Sequence, residues 1–165
     1  ATNSIIIVLK KEKGTFIKVP FSFFKTIMIE FVATTEQDKA YLLDLRLNTM
    51  VEHLENQGLF LSIEQHQARV AEHFEHSHLV LNNGQCVGAA KFIVSEQAIS
   101  LLQLQIAPKE QGKGLGTKVL DALKAQTSEI NLTVLKANPA YGLYQRAGFK
   151  TLGEDDYEFH MQWQK

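Results

Sequence analysis

Three glycines, Gly112, Gly114 and Gly116, stand where a predicted strand over residues 99–107 gives way to a predicted helix. Because glycine has no Cβ, the peptide N–H groups of this turn are left uncovered just where the helix begins. The first turn of a helix has N–H groups without intrahelical partners, and the helix dipole adds positive potential there. This arrangement is typical of phosphate or pyrophosphate binding. The alternative is a glycine-rich turn that binds no ligand, since short motifs have false positives.

Two common phosphate-binding patterns do not fit this turn. The third glycine comes one residue too early for the dinucleotide pattern Gly-x-Gly-x-x-Gly. No Gly-Lys-Ser/Thr follows a glycine at the spacing that a Walker loop requires. The sequence therefore argues against both of these classes of nucleotide-binding site.

The spacing of Gln111, Gly114 and Gly116 resembles the acyl-coenzyme A loop of the GNAT acetyltransferase superfamily, Gln/Arg-x-x-Gly-x-Gly/Ala. Residues 138–149 are similar to the other signature of that superfamily, Asn-x-Ala-x-x-Leu-Tyr-x-x-x-Gly-Phe. The matching residues are Asn138, Ala140, Leu143, Tyr144, Gly148 and Phe149. The two motifs are separated by a predicted helix and strand, and their joint match is far more specific than either half. The resemblance covers about residues 27–163.

The resemblance implies a site for acetyl-coenzyme A as co-substrate, with no metal ion. Backbone groups of Ile106 and Ala107 would pair with the pantetheine arm, and Tyr144 would be the catalytic residue near the thioester sulfur. The residues expected to bind the co-substrate are Ile106, Ala107, Gln111, Gly112, Lys113, Gly114, Leu115, Gly116, Thr117, Asn138 and Tyr144. The alternative for Tyr144 is a core tyrosine that needs only a hydrogen-bond partner.

The implied reaction is direct attack of an acceptor amine on the acetyl carbonyl, with coenzyme A thiolate as the leaving group. An alkyl ammonium with a pKa near 10.4 is only about 0.04% neutral at pH 7, so its proton must be removed. Many relatives use a glutamate on the central strand, where this chain has Gln103, and an amide cannot act as a base. Glu30, Glu96, a chain of water molecules or an acceptor with a low pKa are the alternatives.

Composition sets the broad class. The 165 residues are 45% hydrophobic and 21% charged, which favours one globular domain. A net charge of -1 without a basic run gives no argument for a nucleic-acid partner, and no apolar run is long enough to span a membrane. The single cysteine, Cys86, falls in a predicted strand, where a packing role is expected, and fits a reducing compartment, so a cytoplasmic location is expected.

The six histidines include a local group, His73, His76 and His78, that invites a metal-site interpretation. No cysteine or well-spaced carboxylate completes a zinc-like ligand set around them. The favoured interpretation is a group of solvated histidines at the end of a helix.

The predicted elements, together with the resemblance, indicate an α/β (α+β) fold of three layers. Its mixed central sheet would be antiparallel in the N-terminal part and contain a splayed parallel pair, with helices on both faces. Asn83-Gly84 between two apolar runs predicts a type I′ hairpin. The predicted inner faces of the first two helices comprise Leu43, Leu47, Met50, Val51 and Leu54, then Ile63, Val70 and Phe74. On the third helix the predicted inner face is Leu115, Val119, Ala122 and Leu123.

Residues 1–26 are interpreted as an N-terminal extension, either a hairpin, an edge strand or vector-derived sequence, ahead of an acetyltransferase domain over residues 27–165. The helical region between the first two strands is expected to shape the acceptor pocket. Candidates there are Arg46, Thr49, Met50, His53 and Phe60. Apolar edge strands are compatible with a homodimer.

The leading functional hypothesis is an N-acetyltransferase that acts on a primary amine of a small molecule or peptide. The alternative is a non-catalytic acyl-coenzyme A sensor or interaction module, which Gln103 favours and Tyr144 disfavours. O-acylation is a third possibility. The sequence does not identify the acceptor.

Overall fold

The computed structural model describes residues 29–165, so the expected extension over residues 1–26 lies outside the described part of the chain. The seven strands are β1 (Ile29–Ala33), β2 (Ser77–Asn82), β3 (Gln85–Val94), β4 (Ala98–Ile106), β5 (Glu129–Leu135), β6 (Lys150–Glu154) and β7 (Glu158–Gln164). The four α-helices are α1 (Lys39–Glu55), α2 (Ile63–Ala71), α3 (Leu115–Lys124) and α4 (Ala140–Arg146). Short 3-10 turns precede α1 and β2 and follow β4.

The strands form one mixed sheet in the order β1-β2-β3-β4-β5-β7-β6. The pairs from β1 to β4 are antiparallel, and so are β5–β7 and β6–β7. At the predicted hairpin, Asn83 and Gly84 both have positive φ, 53° and 81°. These values match a type I′ turn, which confirms the hairpin.

The parallel pair β4–β5 is joined only along its first half. Its register runs from Ala98 opposite Glu129 to Leu101 opposite Leu132, and no pairing follows. Beyond that point β4 continues to Ile106 and β5 to Leu135 without contact through hydrogen bonds. The two strands therefore separate toward their carboxyl ends, as the resemblance predicted, and leave a gap in the middle of the sheet.

Helices cover both faces of the sheet, giving three layers. On one face α3 packs into the main core, where Val119, Leu120, Ala122 and Leu123 are fully buried. The predicted inner face of α3 is thus confirmed. On the other face α1 and α2 form a smaller core around Leu42, Leu45 and Val70 with Ala89 of β3. The α/β fold expected from the sequence is confirmed.

The buried faces of α1 and α2 differ from the prediction. In α1 the buried residues are Leu42, Leu45, Arg46 and Leu54, of which only Leu54 belongs to the predicted set. Leucines occur all round this helix, so the spacing of apolar residues alone allowed more than one inner face. In α2 His66 and Val70 are buried, whereas Ile63 is exposed. Because α1 turns a different face toward the core than the one predicted, Arg46 is buried.

None of the helices in the described part of the chain is both long enough and apolar enough to cross a membrane.

Candidate functional site

A cleft with a volume of about 780 Å³ opens where β4 and β5 separate. This size lies in the range of small-molecule sites. Its floor is made by Leu102, Gln103, Leu104 and Gln105 of β4 and by Thr133, Val134 and Leu135 of β5. Residues of α1, α2 and the β6–β7 turn form its walls. The predicted site residues that line the cleft are Asn138 and Tyr144.

The glycine turn, defined here as residues 111–117, follows the end of β4 and leads into α3. Gly112 and Gly114 have φ values of 73° and 74°, a left-handed conformation that favours glycine. A Cβ at either position would meet no atom within 4 Å, so the turn faces open space. The first hydrogen bond of α3 runs from Lys118 N to Gly114 O, at 3.2 Å. The N–H of Gln111 donates to Pro108 O at 3.2 Å, whereas the N–H groups of residues 112–117 have no partner among the described residues and lie free for a ligand.

Gly116 lies against Leu143 of α4. A Cβ at Gly116 would lie 2.8 Å from Cδ2 of Leu143, so that side chain would have to shift to accept it. The two sequence motifs therefore meet in space where α3 and α4 pack together.

The end of β4 is fixed by contacts that refine the expectation for Ile106 and Ala107. Ala107 N donates to Val87 O at 2.9 Å, and Ala107 O accepts from Glu110 N at 2.8 Å. By the alternation of an antiparallel ladder, the backbone groups of Ile106 face the opposite side, toward β5. Gln111 Nε2 donates to Ile106 O at 2.9 Å. The N–H of Ala107 is already used in the sheet, which leaves Ile106 as the residue of the pair that faces the gap.

Lys113 and Asn138, two of the predicted binding residues, have protein partners. Lys113 Nζ lies 2.9 Å from Glu110 Oε2, which offsets part of its positive charge. Asn138 Oδ1 accepts from Ala140 N at 2.9 Å and so fixes the start of α4. The side-chain amide nitrogen of Asn138 is left for other contacts.

Tyr144 is only 6% exposed and packs edge-on against Phe149, with ring centroids 5.6 Å apart. Its hydroxyl has no hydrogen-bond partner within residues 29–165, yet it is not sealed from solvent, so it reaches the cleft. Burial raises the pKa of Tyr144 to about 12. The group therefore stays protonated at neutral pH and is a hydrogen-bond donor rather than a strong acid.

A cluster of buried polar side chains lies on the α1/α2 side of the cleft, and sequence reasoning missed it apart from Arg46. Arg46 Nε donates to His66 Nδ1 at 3.2 Å, and both residues are buried. Burial, together with the nearby Arg46 charge, lowers the pKa of His66. Lys91, also buried, donates to the carbonyls of Arg69, Val70 and Glu72 at the end of α2. Lys91 therefore caps the C-terminus of this helix.

Of the five residues expected to shape the acceptor pocket, two line the cleft and three do not. Arg46 and Met50 line the cleft, whereas Thr49, His53 and Phe60 are not among its lining residues. Thr49 Oγ1 instead donates to Leu45 O within α1. Phe60 is largely exposed. The pocket wall is therefore made by α1, by the end of α2 and by the loop between them, whose Leu59 and Leu61 line the cleft although Phe60 does not.

The carboxylates of the cleft are not those expected as bases. Glu30 lies in the edge strand β1 and Glu96 in the exposed β3–β4 turn, and neither lines the cleft. The carboxylates that do so are Glu72, Asp155, Asp156 and Glu158. Asp155 accepts hydrogen bonds from the backbone of Tyr157 and Glu158, which lowers its pKa to about 2. Gln103 lines the cleft floor, where it has no acid–base function.

The local group of histidines does not form a cluster of metal ligands. His73 and His76 have ring centroids 6.4 Å apart. His78 lies in β2 rather than at a helix end, and its half-buried ring stacks on Phe92 at 4.5 Å. Within residues 29–165, no three His, Cys, Asp or Glu side chains come together as a metal site would require.

Comparison with known proteins identifies the family. The family profile described as "Acetyltransferase (GNAT) domain" matches residues 48–165. No curated protein sequence matches the chain. The PaiA N-acetyltransferase of Thermoplasma acidophilum, solved with coenzyme A, has a TM-score of 0.63 at 18% identity, covering 83% of this chain and 99% of the other.

Two further solved structures share this fold. The aminoglycoside acetyltransferase AAC(6')-Ib, solved with coenzyme A, has a TM-score of 0.59 at 21% identity over 83% of this chain and 95% of the other. The spermidine/spermine N-acetyltransferase SpeG of Vibrio cholerae has a TM-score of 0.56 at 18% identity over 82% and 93%. With a family profile that spans most of the sequence and a sheet that separates between β4 and β5, the chain belongs to the GNAT acetyltransferase family.

Proposed function

We propose that this protein is an N-acetyltransferase that moves an acetyl group from acetyl-coenzyme A to a primary amine by direct attack. The observation that carries the proposal is the glycine turn, whose free N–H groups lie at the end of the strand that forms the cleft floor. The PaiA and AAC(6')-Ib structures both contain coenzyme A, which supports the choice of co-substrate.

In this proposal the free N–H groups of the glycine turn, those of residues 112–117, bind the diphosphate of coenzyme A. Gly112 and Gly114 leave the space that a diphosphate needs. The free backbone N–H of Ile106, on the edge of β4 that faces the gap, pairs with the pantetheine arm, which enters between β4 and β5. The acyl thioester supplies an activated carbonyl in the cleft beside Tyr144.

Tyr144 acts as a hydrogen-bond donor to the departing sulfur. With a pKa of about 12 against about 8.5 for a thiol, full proton transfer would be uphill by about 5 kcal/mol. A hydrogen bond that stabilises developing negative charge needs no such transfer.

The acceptor amine loses its proton to water in the cleft. Gln103 cannot accept a proton, and Glu30 and Glu96 lie elsewhere. Asp155, Asp156 and Glu158 on the rim favour the approach of an ammonium ion. Because SpeG is a spermidine/spermine N-acetyltransferase and AAC(6')-Ib is an aminoglycoside acetyltransferase, an amine acceptor is consistent with the family.

The test is release of free thiol from acetyl-coenzyme A by the 165-residue chain in the presence of a panel of primary amines. Acceptor-dependent release, with formation of the N-acetyl product, supports the proposal. Binding of acetyl-coenzyme A without release for any amine would favour the non-catalytic sensor instead.

A further inference from the structure

The guanidinium group of Arg46 is buried, charged and unneutralised. The residue is only 6% exposed. Its Nε donates to His66 at 3.2 Å, but its two terminal nitrogens have no hydrogen-bond or ion-pair partner within residues 29–165. These nitrogens are not sealed from solvent, and Arg46 lines the cleft. Since an unpaired buried charge is costly, this group points to a ligand that supplies the opposite charge.

The charged neighbours of Arg46 do not neutralise it. Glu72 is the nearby carboxylate, and it is already bonded to Arg69 at 3.0 Å. Lys91 adds a second buried positive charge, and its ammonium group is held by backbone carbonyls of α2 rather than by a carboxylate. This side of the cleft therefore has an excess of positive charge.

Two uncharged groups beside Arg46 are also without partners. Gln105 Nε2 and Ser77 Oγ are both fully buried and make no hydrogen bond to the described residues. Together with Arg46 they line a recess of about 10 Å³, which has room for about one oxygen atom of water size. Gln103, Gln105, Arg46 and Lys91 line both this recess and the cleft, so the recess opens from the cleft floor. We call it the arginine recess.

On the basis of the acetyltransferase proposed above, we propose that the amine acceptor carries a carboxylate, which binds in the arginine recess. The guanidinium of Arg46, the amide N–H of Gln105 and the hydroxyl of Ser77 would be its donors. The recess has room for one oxygen of a carboxylate, whose second oxygen and carbon would lie in the adjoining cleft. A neutral carbonyl would leave the charge of Arg46 unpaired, and charge-assisted bonds are the stronger ones.

The position of the recess indicates which amino carboxylates suit it. Gln105 directly precedes Ile106, whose backbone faces the gap assigned to the co-substrate. The carboxylate would therefore bind close to the reacting carbonyl, and the amine must lie within a few bonds of it. Asp155, Asp156 and Glu158 on the opposite rim favour the entry of a molecule with an ammonium group into the cleft. The predicted substrate class is free amino acids.

The experiment compares acceptors that differ in the carboxylate alone. Each free amino acid is paired with its decarboxylated amine and with its amide, and kcat/KM is measured by thiol release. Decarboxylation and amidation change the basicity of the amine in opposite directions, so a preference over both reflects the carboxylate. We expect the amino acids to be better by about 10- to 100-fold, since a site built for a polar group rejects analogues that lack it.

The variant Arg46→Gln removes the charge and should abolish this preference, mainly by raising KM for amino acids. Arg46→Lys, which keeps the charge, should retain part of it. Arg146→Gln, on the exposed face of α4 and outside the cleft, is the matched control and should keep the full preference. If the Arg46 variants do not fold, Gln105→Leu tests the same recess. The comparison of acceptors on the wild-type chain still shows whether the carboxylate is recognised. Equal rates for the paired acceptors would overturn the inference while leaving the acetyltransferase proposal intact.

A binding readout separates the recess from catalysis. Sodium propionate is titrated into the ¹⁵N-labelled chain, and the Arg46 Nε–Hε resonance is followed by NMR. A saturable shift, reduced in Gln105→Leu and not produced by propylammonium chloride, supports a carboxylate site even where no acceptor is acetylated. An unchanged resonance, with no preference among acceptors, contradicts the inference.

Discussion

The two sides of the cleft recognise their proposed ligands by different chemistry. On the co-substrate side, the glycine turn offers backbone N–H groups from six consecutive residues, 112–117. On the acceptor side, the arginine recess is lined by side chains from α1, β2 and β4, and His66 of α2 accepts a hydrogen bond from its arginine. A backbone site needs only glycine at fixed spacing, whereas a side-chain site needs a particular packing of distant elements. The first kind of site can be read in the sequence and the second cannot.

The largest effect is expected at the glycine turn. Gly114→Val places a β-branched residue at a φ of 74° and should weaken coenzyme A binding about 100-fold, because losing one or two charge-assisted N–H contacts costs that much. Gly84→Val is the matched control, since Gly84 has a φ of 81° and equally open surroundings in the β2–β3 turn. Both variants should lose similar stability on thermal denaturation, but only Gly114→Val should lose affinity by calorimetry. If Gly114→Val and the wild-type chain bound coenzyme A with equal affinity, the glycine turn would not be part of the binding site.

Tyr144→Phe tests the contribution of the cleft hydroxyl. We expect kcat to fall about 10- to 100-fold, because one donor to the developing thiolate charge is lost. Coenzyme A affinity should stay within about threefold, since the ring and its contact with Phe149 are kept. Pre-steady-state and steady-state kinetics with one acceptor provide the measurement. An unchanged rate, with chemistry shown to be limiting, would assign Tyr144 to the core alone.

The dependence of kcat/KM on pH shows whether water or a side chain of the protein accepts the proton of the amine. If water accepts the proton, kcat/KM should rise by up to about tenfold per pH unit between pH 6.5 and 8.5, following the neutral fraction of the amine. No descending limb from Tyr144 is expected below pH 10, because its pKa is about 12. A plateau already reached at pH 7 with an alkyl amine would contradict this and indicate a general base.

The smallest effect concerns stability on the acceptor side. Burial lowers the pKa of His66 in the folded protein, so between that pKa and about 6.5 the unfolded chain binds more protons. Stability should therefore fall as pH decreases below about 6.5, by at most about 1.4 kcal/mol per pH unit for this group.

His66→Gln should flatten this dependence in thermal denaturation between pH 7 and 5. His73→Asn, an exposed histidine whose left-handed backbone asparagine tolerates, is the control and should leave the dependence unchanged. If His66→Gln kept the wild-type dependence of stability on pH, protonation of His66 would not be the cause of that dependence.

The parts of the fold that local sequence determines were predicted well. Asn83-Gly84 fixed the hairpin because few residues adopt two consecutive positive φ values. The inner face of α3 was clear because its apolar residues lie on one side only. The separation of β4 from β5 followed from the family resemblance and not from the residues, since nothing in either strand sequence marks the end of the pairing.

The acceptor side could not be predicted because its contacts join residues far apart in the chain. Arg46 and His66 are 20 residues apart, and their bond depends on which face α1 turns inward. Leucines around α1 obscured that face, so Arg46 was expected only to shape the pocket. Gln105 carries no signal in sequence, since its significance comes from an amide left unpaired by its burial.

The central claim is that the free N–H groups of the glycine turn bind a diphosphate. It is tested most directly by calorimetric titration of the wild-type chain and of Gly114→Val with coenzyme A and with pantetheine, which lacks both the diphosphate and the 3′-phosphoadenosine; the difference between the two compounds should be largely lost in Gly114→Val. Saturable binding of coenzyme A, at least about 100-fold tighter than that of pantetheine, is the predicted result. No binding of coenzyme A, or equal affinity for the two compounds, would contradict the account.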